Sequence, residues 1–275
     1  MRRVAVAGGV IALAVLVAVA YQVRCAVKMA LWKVPFPVEL HGSCDVGALR
    51  AVERGVGEGR ERWSDFTGQQ LQLETRPLHL VTDLPVPEHT WTHAWKGWEQ
   101  FEACDGIAHF SPRKLGRKDR GAPDPGELEH LVAREMVRRA FVSVKGRALD
   151  GWIAGAAVGA VLRERPEAPE RERVRFNLRG GIFAPRPGAP PGDRYPLCGG
   201  VRDASGECNA GAPSPWVQPV LEHVRRKHGP AAALEGLLAR TPGALLRLAV
   251  PQGDSDGLRA LDQMLDGYRE EMFPP

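Results

Sequence analysis

Glu135 is the carboxylate of this chain whose setting most suggests chemistry. The pattern over residues 127–144 predicts an amphipathic helix, and Glu135 is the single carboxylate on its apolar face. Arg138 and Arg139 follow three and four residues later, so the same carboxylate also has a structural interpretation, an ion pair along the helix face. The sequence favours that structural role for Glu135.

Histidine pairs are the second place to look, because neutral imidazole is a common metal ligand. His89 and His93 are four residues apart, which places both on about the same side of a helix or a strand. His223 and His228 are five apart and diverge on a helix, and His130 stands by itself. A metal site at His89 and His93 is therefore a minor alternative to a partly exposed aromatic loop, and no cofactor is expected.

Other catalytic motifs are missing from the sequence. It contains no P-loop, no G-x-G-x-x-G and no CxxC pair. Ser143 has no base in view. Trp91, Trp95 and Trp98 could stack on a sugar or a peptide, but spacings of four and three are more typical of a helix packed in a core.

Composition limits the classes of protein that fit. The 275 residues are 44% hydrophobic and 25% charged, which excludes general disorder and a polytopic membrane protein. Lysine and arginine number 37 against 33 aspartate and glutamate, a net charge of +4. No basic cluster is dense enough for a nucleic-acid interface, so no nucleic-acid partner is expected.

Most of the chain has a helical or a turn-rich pattern. Helices are predicted over 45–66, 127–144, 149–162 (capped by Asp150), from Ser214 to Lys227, from Pro230 to Arg240, and over 258–272. The glycines within 45–66 weaken the first prediction. Extended segments are predicted over 71–83, 107–110 and 174–184, the last as a pair around Gly180-Gly181. Linkers or loops are predicted over 35–41, 116–126, 166–173 and 185–215.

The N-terminal segment, residues 1–34, is predicted to be a membrane anchor or a signal peptide rather than part of the folded domain. Arg2 and Arg3 precede an uncharged run over residues 4–23, which as a helix spans about 30 Å and fits a transmembrane anchor. Ala18-Val19-Ala20 also fits a signal-peptidase site, with cleavage after Ala20. A buried hydrophobic helix is a third, minor interpretation. Either of the first two places residues 35–275 outside the cytoplasm, anchored in the inner membrane of a bacterial cell envelope or secreted.

Cysteine usage agrees with export. Cys198 and Cys208 lie ten residues apart in a loop rich in proline and glycine, where a disulfide is a natural cross-link. Cys44 and Cys104 could form a second bridge, which leaves Cys25 near the membrane. The pairing of these three cysteines stays open.

Two predicted helices and their surroundings resemble the gluzincin metallopeptidases of the peptidase-MA-like type. The first carries Arg134-Glu135-Met136-Val137-Arg138 where that family has H-E-x-x-H. The second carries Trp152-Ile153-Ala154-Gly155-Ala156-Ala157 where it has W-L-x-E-G-x-A. The order of the flanking segments over about residues 70–270 adds to the likeness, although no single motif is specific. The resemblance implies an α+β, zincin-like domain with a small N-terminal sheet and a helical C-terminal part.

The departures from the family pattern decide the function that the resemblance implies. In the family, two histidines and the second-helix glutamate bind zinc, and the first-helix glutamate activates water. Arg134, Arg138 and Gly155 occupy the three ligand positions. Arginine stays protonated and has no lone pair to give, and glycine has no side chain. Only Glu135, at the general-base position, is retained.

The sequence therefore predicts a catalytically inactive, metallopeptidase-like envelope protein that binds a protein or peptide partner through the former active-site cleft or the 185–215 loop. If that cleft is open, Arg134, Arg138 and Arg139 make it a candidate anion site. The alternatives are a hydrolase with non-standard ligands and a purely structural anchored domain.

Overall fold

The computed structural model describes residues 38–41, 46–71, 77–81, 98–102, 108–112, 125–145, 153–165, 168–179, 183–191, 193–197 and 214–274, with isolated positions at Leu16, Val19, Val23 and Val27. Within these ranges the strands are β1 (Val38–His41), β2 (Leu78–Val81), β3 (Trp98–Glu102) and β4 (Ala108–Pro112). The helices are α1 (Val46–Thr67), α2 (Pro125–Lys145), α3 (Ala154–Leu162), α4 (Ala168–Arg179), α5 (Val217–Leu237), α6 (Pro242–Ala249) and α7 (Ser255–Met272).

The described chain is mostly helical with one small sheet, as predicted for an α+β protein. The strand order in the sheet is β1-β2-β4-β3, with β1 parallel to β2, β2 parallel to β4, and β3 antiparallel to β4. The chain divides into two compact units, one formed by residues 1–58 and 73–136 and the other by residues 59–72 and 137–275. The sheet belongs to the first unit, and α3 to α7 belong to the second.

Strand β1 corrects the prediction of a linker over residues 35–41. Val38 pairs with Leu78 of β2, and both side chains are buried. Pro35 and Pro37 gave the segment its linker pattern, but a strand that begins just after a proline loses no backbone hydrogen bond to it. The extended prediction for 71–83 is confirmed where β2 is described, and the 107–110 strand is confirmed as β4.

Helix α1 spans almost the range predicted for it, and one of its glycines has a packing role. A Cβ on Gly55 would lie 2.4 Å from the backbone oxygen of Glu129 and 2.8 Å from the Cβ of Val132, both on α2. Gly55 therefore lets the two helix backbones approach closely. Arg54 beside it pairs with Glu129, with 2.6 Å between Nε and the carboxylate.

Helix α5 is central to the second unit and packs against α3, α6 and α7. It is kinked at Gly229, whose φ of 87° and ψ of −177° interrupt the helical backbone. Gly229 and Pro230 were predicted to end one helix and begin the next, and the kink confirms this. At the start of α5, Trp216 is fully buried and donates from Nε1 to the oxygen of Phe183 at 3.0 Å.

Helix α4 overturns two predictions. Residues 166–173 were expected to break the chain and 174–184 to form an extended pair, yet Ala168–Arg179 is a helix. Glutamate and arginine are good helix formers, so their alternation outweighed the Gly180-Gly181 signal. Helix α6 was not predicted at all, although Thr241 caps it by accepting from the amide of Ala244 at 3.2 Å.

Several predictions fall wholly or largely outside the described residues. Of residues 4–23, only Leu16, Val19 and Val23 are described, all three helical and exposed. Among the described residues, no helix is long and apolar enough to cross a membrane.

Residues 149–152, with the predicted cap Asp150, also lie outside the described residues. The residue before α3 is Ile153, and its side chain makes no capping bond. All five cysteines lie outside as well: Cys25, Cys44, Cys104, Cys198 and Cys208. So do Trp91 and Trp95, whereas Trp98 opens strand β3 rather than lying in a helix.

Candidate functional site

The positions matched to a zincin metal site lie on α2 and α3. Glu135 is buried on α2, with 8% of its surface exposed, while Arg134 is half-buried and Arg138 is exposed one turn later. Gly155 is exposed in the first turn of α3. Two guanidinium groups and a glycine offer no metal ligand, so these positions do not fit a zinc ion.

Other metal ligands were sought across the described part of the chain. It holds no group of three or more histidine, cysteine, aspartate or glutamate side chains arranged to bind a metal ion. His130 is exposed on α2. His89 and His93, the pair that the sequence singled out, are not among the described residues.

The second unit contains a cleft of about 540 Å³ whose lining is rich in arginine. We call it the arginine cleft. Four arginines and two glutamates line it, together with apolar and aromatic side chains: Arg163, Arg165, Arg225, Arg226, Glu222, Glu271, Phe66, Ala160, Pro219, Met264 and Tyr268. Its volume is in the range of small-ligand sites. The lining comes from the C-terminal part of α1, the end of α3, and helices α5 and α7.

Arg163 reaches the cleft from an unusual backbone conformation. It follows the last residue of α3 with φ 56° and ψ 36°, the left-handed region. Its amide donates to the oxygen of Ala160, and the amide of Glu164 donates to that of Gly159, which closes a Schellman motif. That position is usually glycine, because a side chain there costs about 1 kcal/mol. The chain therefore keeps an arginine at the cleft at a cost in stability.

Gln218 connects α3 to α5 beneath the cleft. Its side-chain nitrogen donates to the backbone oxygen of Glu164 at 2.7 Å and to the carboxylate of Glu222 at 3.0 Å. A Cβ on Gly159 would lie 2.7 Å from the side-chain oxygen of Gln218, so glycine lets the two helices approach. The small-residue pattern of residues 149–162 predicted such close packing, and here it is confirmed.

Arg225 is engaged with the end of α1. Its Nε and Nη2 donate to the backbone oxygen of Asp65 at 3.1 and 2.8 Å. Carbonyl groups in the last turn of a helix have no partner within the helix, so Arg225 satisfies one of them. Arg163 approaches the Asp65 carboxylate at 3.7 Å, with both side chains more than half exposed. Such an exposed pair is weak and leaves the guanidinium of Arg163 accessible.

Arg165 and Arg226 differ from the other two arginines. Both are exposed, and no carboxylate among the described residues pairs with either of them. Guanidinium groups present fixed pairs of donors that match a carboxylate or a phosphate. The arginine cleft therefore offers two available cationic donors beside an apolar surface, an arrangement suited to binding an anionic group.

His223 adjoins the cleft on α5, directly after Glu222. Its Nε2 is buried and has no hydrogen-bond partner within the described residues. Burial lowers the pKa of His223 below its usual 6.5, and the positive charges of Lys227, Arg226 and His228 lower it further. Protonation of His223 therefore costs more in the folded chain than in the unfolded one.

Helix α7 is held in place by a contact at Asp266. The hydroxyl of Tyr195 donates to its carboxylate, and Nη2 of Arg194 donates to the same oxygen at 3.1 Å. Burial, together with the hydrogen bond to Asp266, raises the pKa of the Tyr195 hydroxyl. The contact fastens the described part of the 185–215 loop to the helix that carries Met264, Tyr268 and Glu271 into the cleft.

Sequence reasoning did not find the arginine cleft. It sought an anion site at Arg134, Arg138 and Arg139, of which Arg139 is buried on α2. The one local signal was Arg163, which stands where a helix end favours glycine. No protein-family model matches the chain, and comparisons with curated proteins and with solved structures likewise give no match.

Proposed function

We propose that this chain is a non-catalytic, peptidase-like protein that binds a protein or peptide partner. The observation that carries the proposal is the set of residues at the positions matched to a zinc site. Arg134 and Arg138 are one turn apart on α2, on either side of the buried Glu135, and neither can coordinate zinc. A carboxylate acting on water without a metal faces water of nearly bulk pKa, which makes peptide hydrolysis by the zincin route inaccessible.

A peptidase-like chain that cannot hydrolyse peptides can still bind a protein or peptide partner. The arginine cleft supports this part of the proposal, because it combines available guanidinium donors and apolar side chains in a cleft of ligand size. We further propose that residues 4–23 anchor the chain in the inner membrane of a cell envelope, with residues 35–275 outside the cytoplasm. The length and apolarity of that run support the anchor.

The test is to present the full chain, purified in mild detergent, with a mixed peptide library in the presence of zinc. Bound peptides are eluted and read by mass spectrometry, which reports both their sequences and whether they are intact. The proposal predicts that the chain retains a distinct subset of peptides and that they are recovered uncut.

Glu135→Gln serves as the matched control. It removes the general-base carboxylate with little change in volume, so a non-catalytic chain and its E135Q variant should leave equal amounts of intact peptide. Cleavage by the parent chain that disappears in E135Q would show an active hydrolase and overturn the proposal. If neither the parent chain nor the E135Q variant retains any peptide, the proposed binding of a peptide partner is contradicted.

A further inference from the structure

We infer that the arginine cleft binds an acidic peptide segment, one that carries carboxylate side chains next to an aromatic or apolar side chain. The inference rests on the proposed function and names the ligand class that the binding site takes. It is carried by the charges, the apolar lining and the backbone conformation at this one cleft.

The available charge selects for an anion. Arg165 and Arg226 are exposed and have no carboxylate partner in the described ranges, and Arg163 has only a weak, exposed pair with Asp65. A carboxylate bound by one guanidinium fork makes two parallel charge-assisted hydrogen bonds. Two carboxylates on one peptide can therefore engage Arg165 and Arg226 together.

The glutamates of the cleft select against a phosphate-rich ligand. Glu222 and Glu271 line the same space and, when ionised, accept hydrogen bonds only, as most oxygens of a phosphate group do. A peptide has backbone amides that can donate to these carboxylates while its acidic side chains accept from the arginines. A peptide thus complements both signs of charge in the cleft.

The apolar lining accounts for the side chain beside the acidic residues. Met264 is partly exposed, and the largely buried rings of Phe66 and Tyr268 form part of the same wall. Covering this surface with an aromatic side chain removes apolar area from water, whereas an acidic segment without one leaves that area uncovered.

The left-handed backbone at Arg163 is an independent observation on the same site. Glycine would fit this position without strain, yet the chain presents a long cation into the cleft there. Unfavourable backbone conformations concentrate where a side chain is held for function.

The experiment uses the full chain in mild detergent and a fluorescein-labelled peptide with two glutamates flanking a phenylalanine, followed by anisotropy. The test variant is Arg165→Gln with Arg226→Gln. The matched control is Arg186→Gln with Arg240→Gln, two exposed arginines of the same unit outside the cleft, which changes the net charge equally. We expect the test variant to weaken binding about tenfold or more and the control to change it less than about twofold.

Three results would overturn the inference. One is an equal loss in the test and control variants, which would indicate general electrostatic attraction. Another is no binding of the peptide to the parent chain, or its displacement by inorganic phosphate at low concentration. The third is equal binding of the same peptide with serine in place of phenylalanine. Mass spectrometry of the same mixtures separates the two proposals, because cleaved peptide contradicts the non-catalytic function, whereas intact peptide bound equally by both double variants contradicts only this site.

Discussion

At Arg163 a charged side chain occupies a backbone conformation that favours glycine, so local stability and ligand binding conflict at a single residue. The Schellman bonds of Arg163 and Glu164 hold the end of α3 in this geometry. The Arg163 side chain lines the arginine cleft together with side chains from three other helices, α1, α5 and α7. The cleft therefore depends on all of these helices and not on Arg163 alone.

Replacing Arg163 separates the two effects. We expect Arg163→Gly to be about 1 kcal/mol more stable to unfolding than Arg163→Ala, because both lose the side chain and only glycine is relieved of the left-handed strain. Both variants should bind the acidic peptide more weakly than the parent chain. Denaturant unfolding and anisotropy measure the two quantities, and equal stability of the glycine and alanine variants would contradict the strain.

His223 predicts a pH dependence of stability. Its pKa is lowered in the folded chain, so the unfolded chain takes up a proton first as the pH falls. The stability associated with neutral His223 is therefore full above the unfolded pKa of about 6.5 and is lost as the pH falls towards the folded value. His223→Gln should flatten the stability curve between about pH 7.5 and 5.5. An unchanged slope in denaturant melts of this variant would contradict the account.

The sequence predicted the surroundings of a residue correctly where they depend only on the pattern of the helix that contains it. The apolar face around Glu135 and the interruption at Gly229 depend on local pattern, and the structure has both. The side chains that surround Arg165 and Arg226 in the cleft depend on which helices meet, and single-residue patterns carry no such information. The cleft was missed for that reason.

Among the helices, close packing depends in part on glycine, as the contact between α1 and α2 shows. Gly55 and Gly57 are two residues apart on α1, yet only Gly55 faces another backbone; a Cβ on Gly57 would meet nothing within 4 Å. The sequence suggested that these glycines weaken the helix. The structure indicates that one of them enables its packing.

The pair supplies its own control. Gly55→Ala should destabilise the chain by about 1–3 kcal/mol, because the new methyl group collides with the backbone oxygen of Glu129. Gly57→Ala should be neutral or stabilise by up to about 1 kcal/mol through helix propensity. Thermal or denaturant unfolding of both variants measures the difference. A loss as large for Gly57→Ala as for Gly55→Ala would indicate that the close approach is not the cause.

Helices and strands could be predicted from the sequence where the hydrophobic periodicity of the segment was stronger than its glycine and proline turn signals. Helices α1, α2, α5 and α7 have long amphipathic patterns and were found close to their observed bounds. Strand β1 has four residues and exists through its pairing with β2, which the local pattern does not contain. Helix α4 was misread because a Gly-Gly pair was given more weight than a run of good helix formers.

For the molecule as a whole, the proposed function has two parts: positions matched to zinc ligands are filled by residues that cannot bind zinc, and the arginine cleft has charges that favour an anion. A net charge of +4 and the arginines of the cleft both favour an acidic partner. The proposed likeness to the gluzincin metallopeptidases can be tested separately from binding, because it implies that positions 134, 138 and 155 correspond to three ligands of one zinc ion.

Zinc content per chain is the measurement that tests this claim most directly. The full chain and the variant Arg134→His, Arg138→His, Gly155→Glu are dialysed against zinc and then buffer and read by elemental mass spectrometry, with circular dichroism to confirm equal folding. The proposed likeness predicts far less than one zinc per parent chain and about one per triple variant, whose side chains recreate the ligand set of a gluzincin. One tightly held zinc in the parent chain, or none in a folded triple variant, would contradict it.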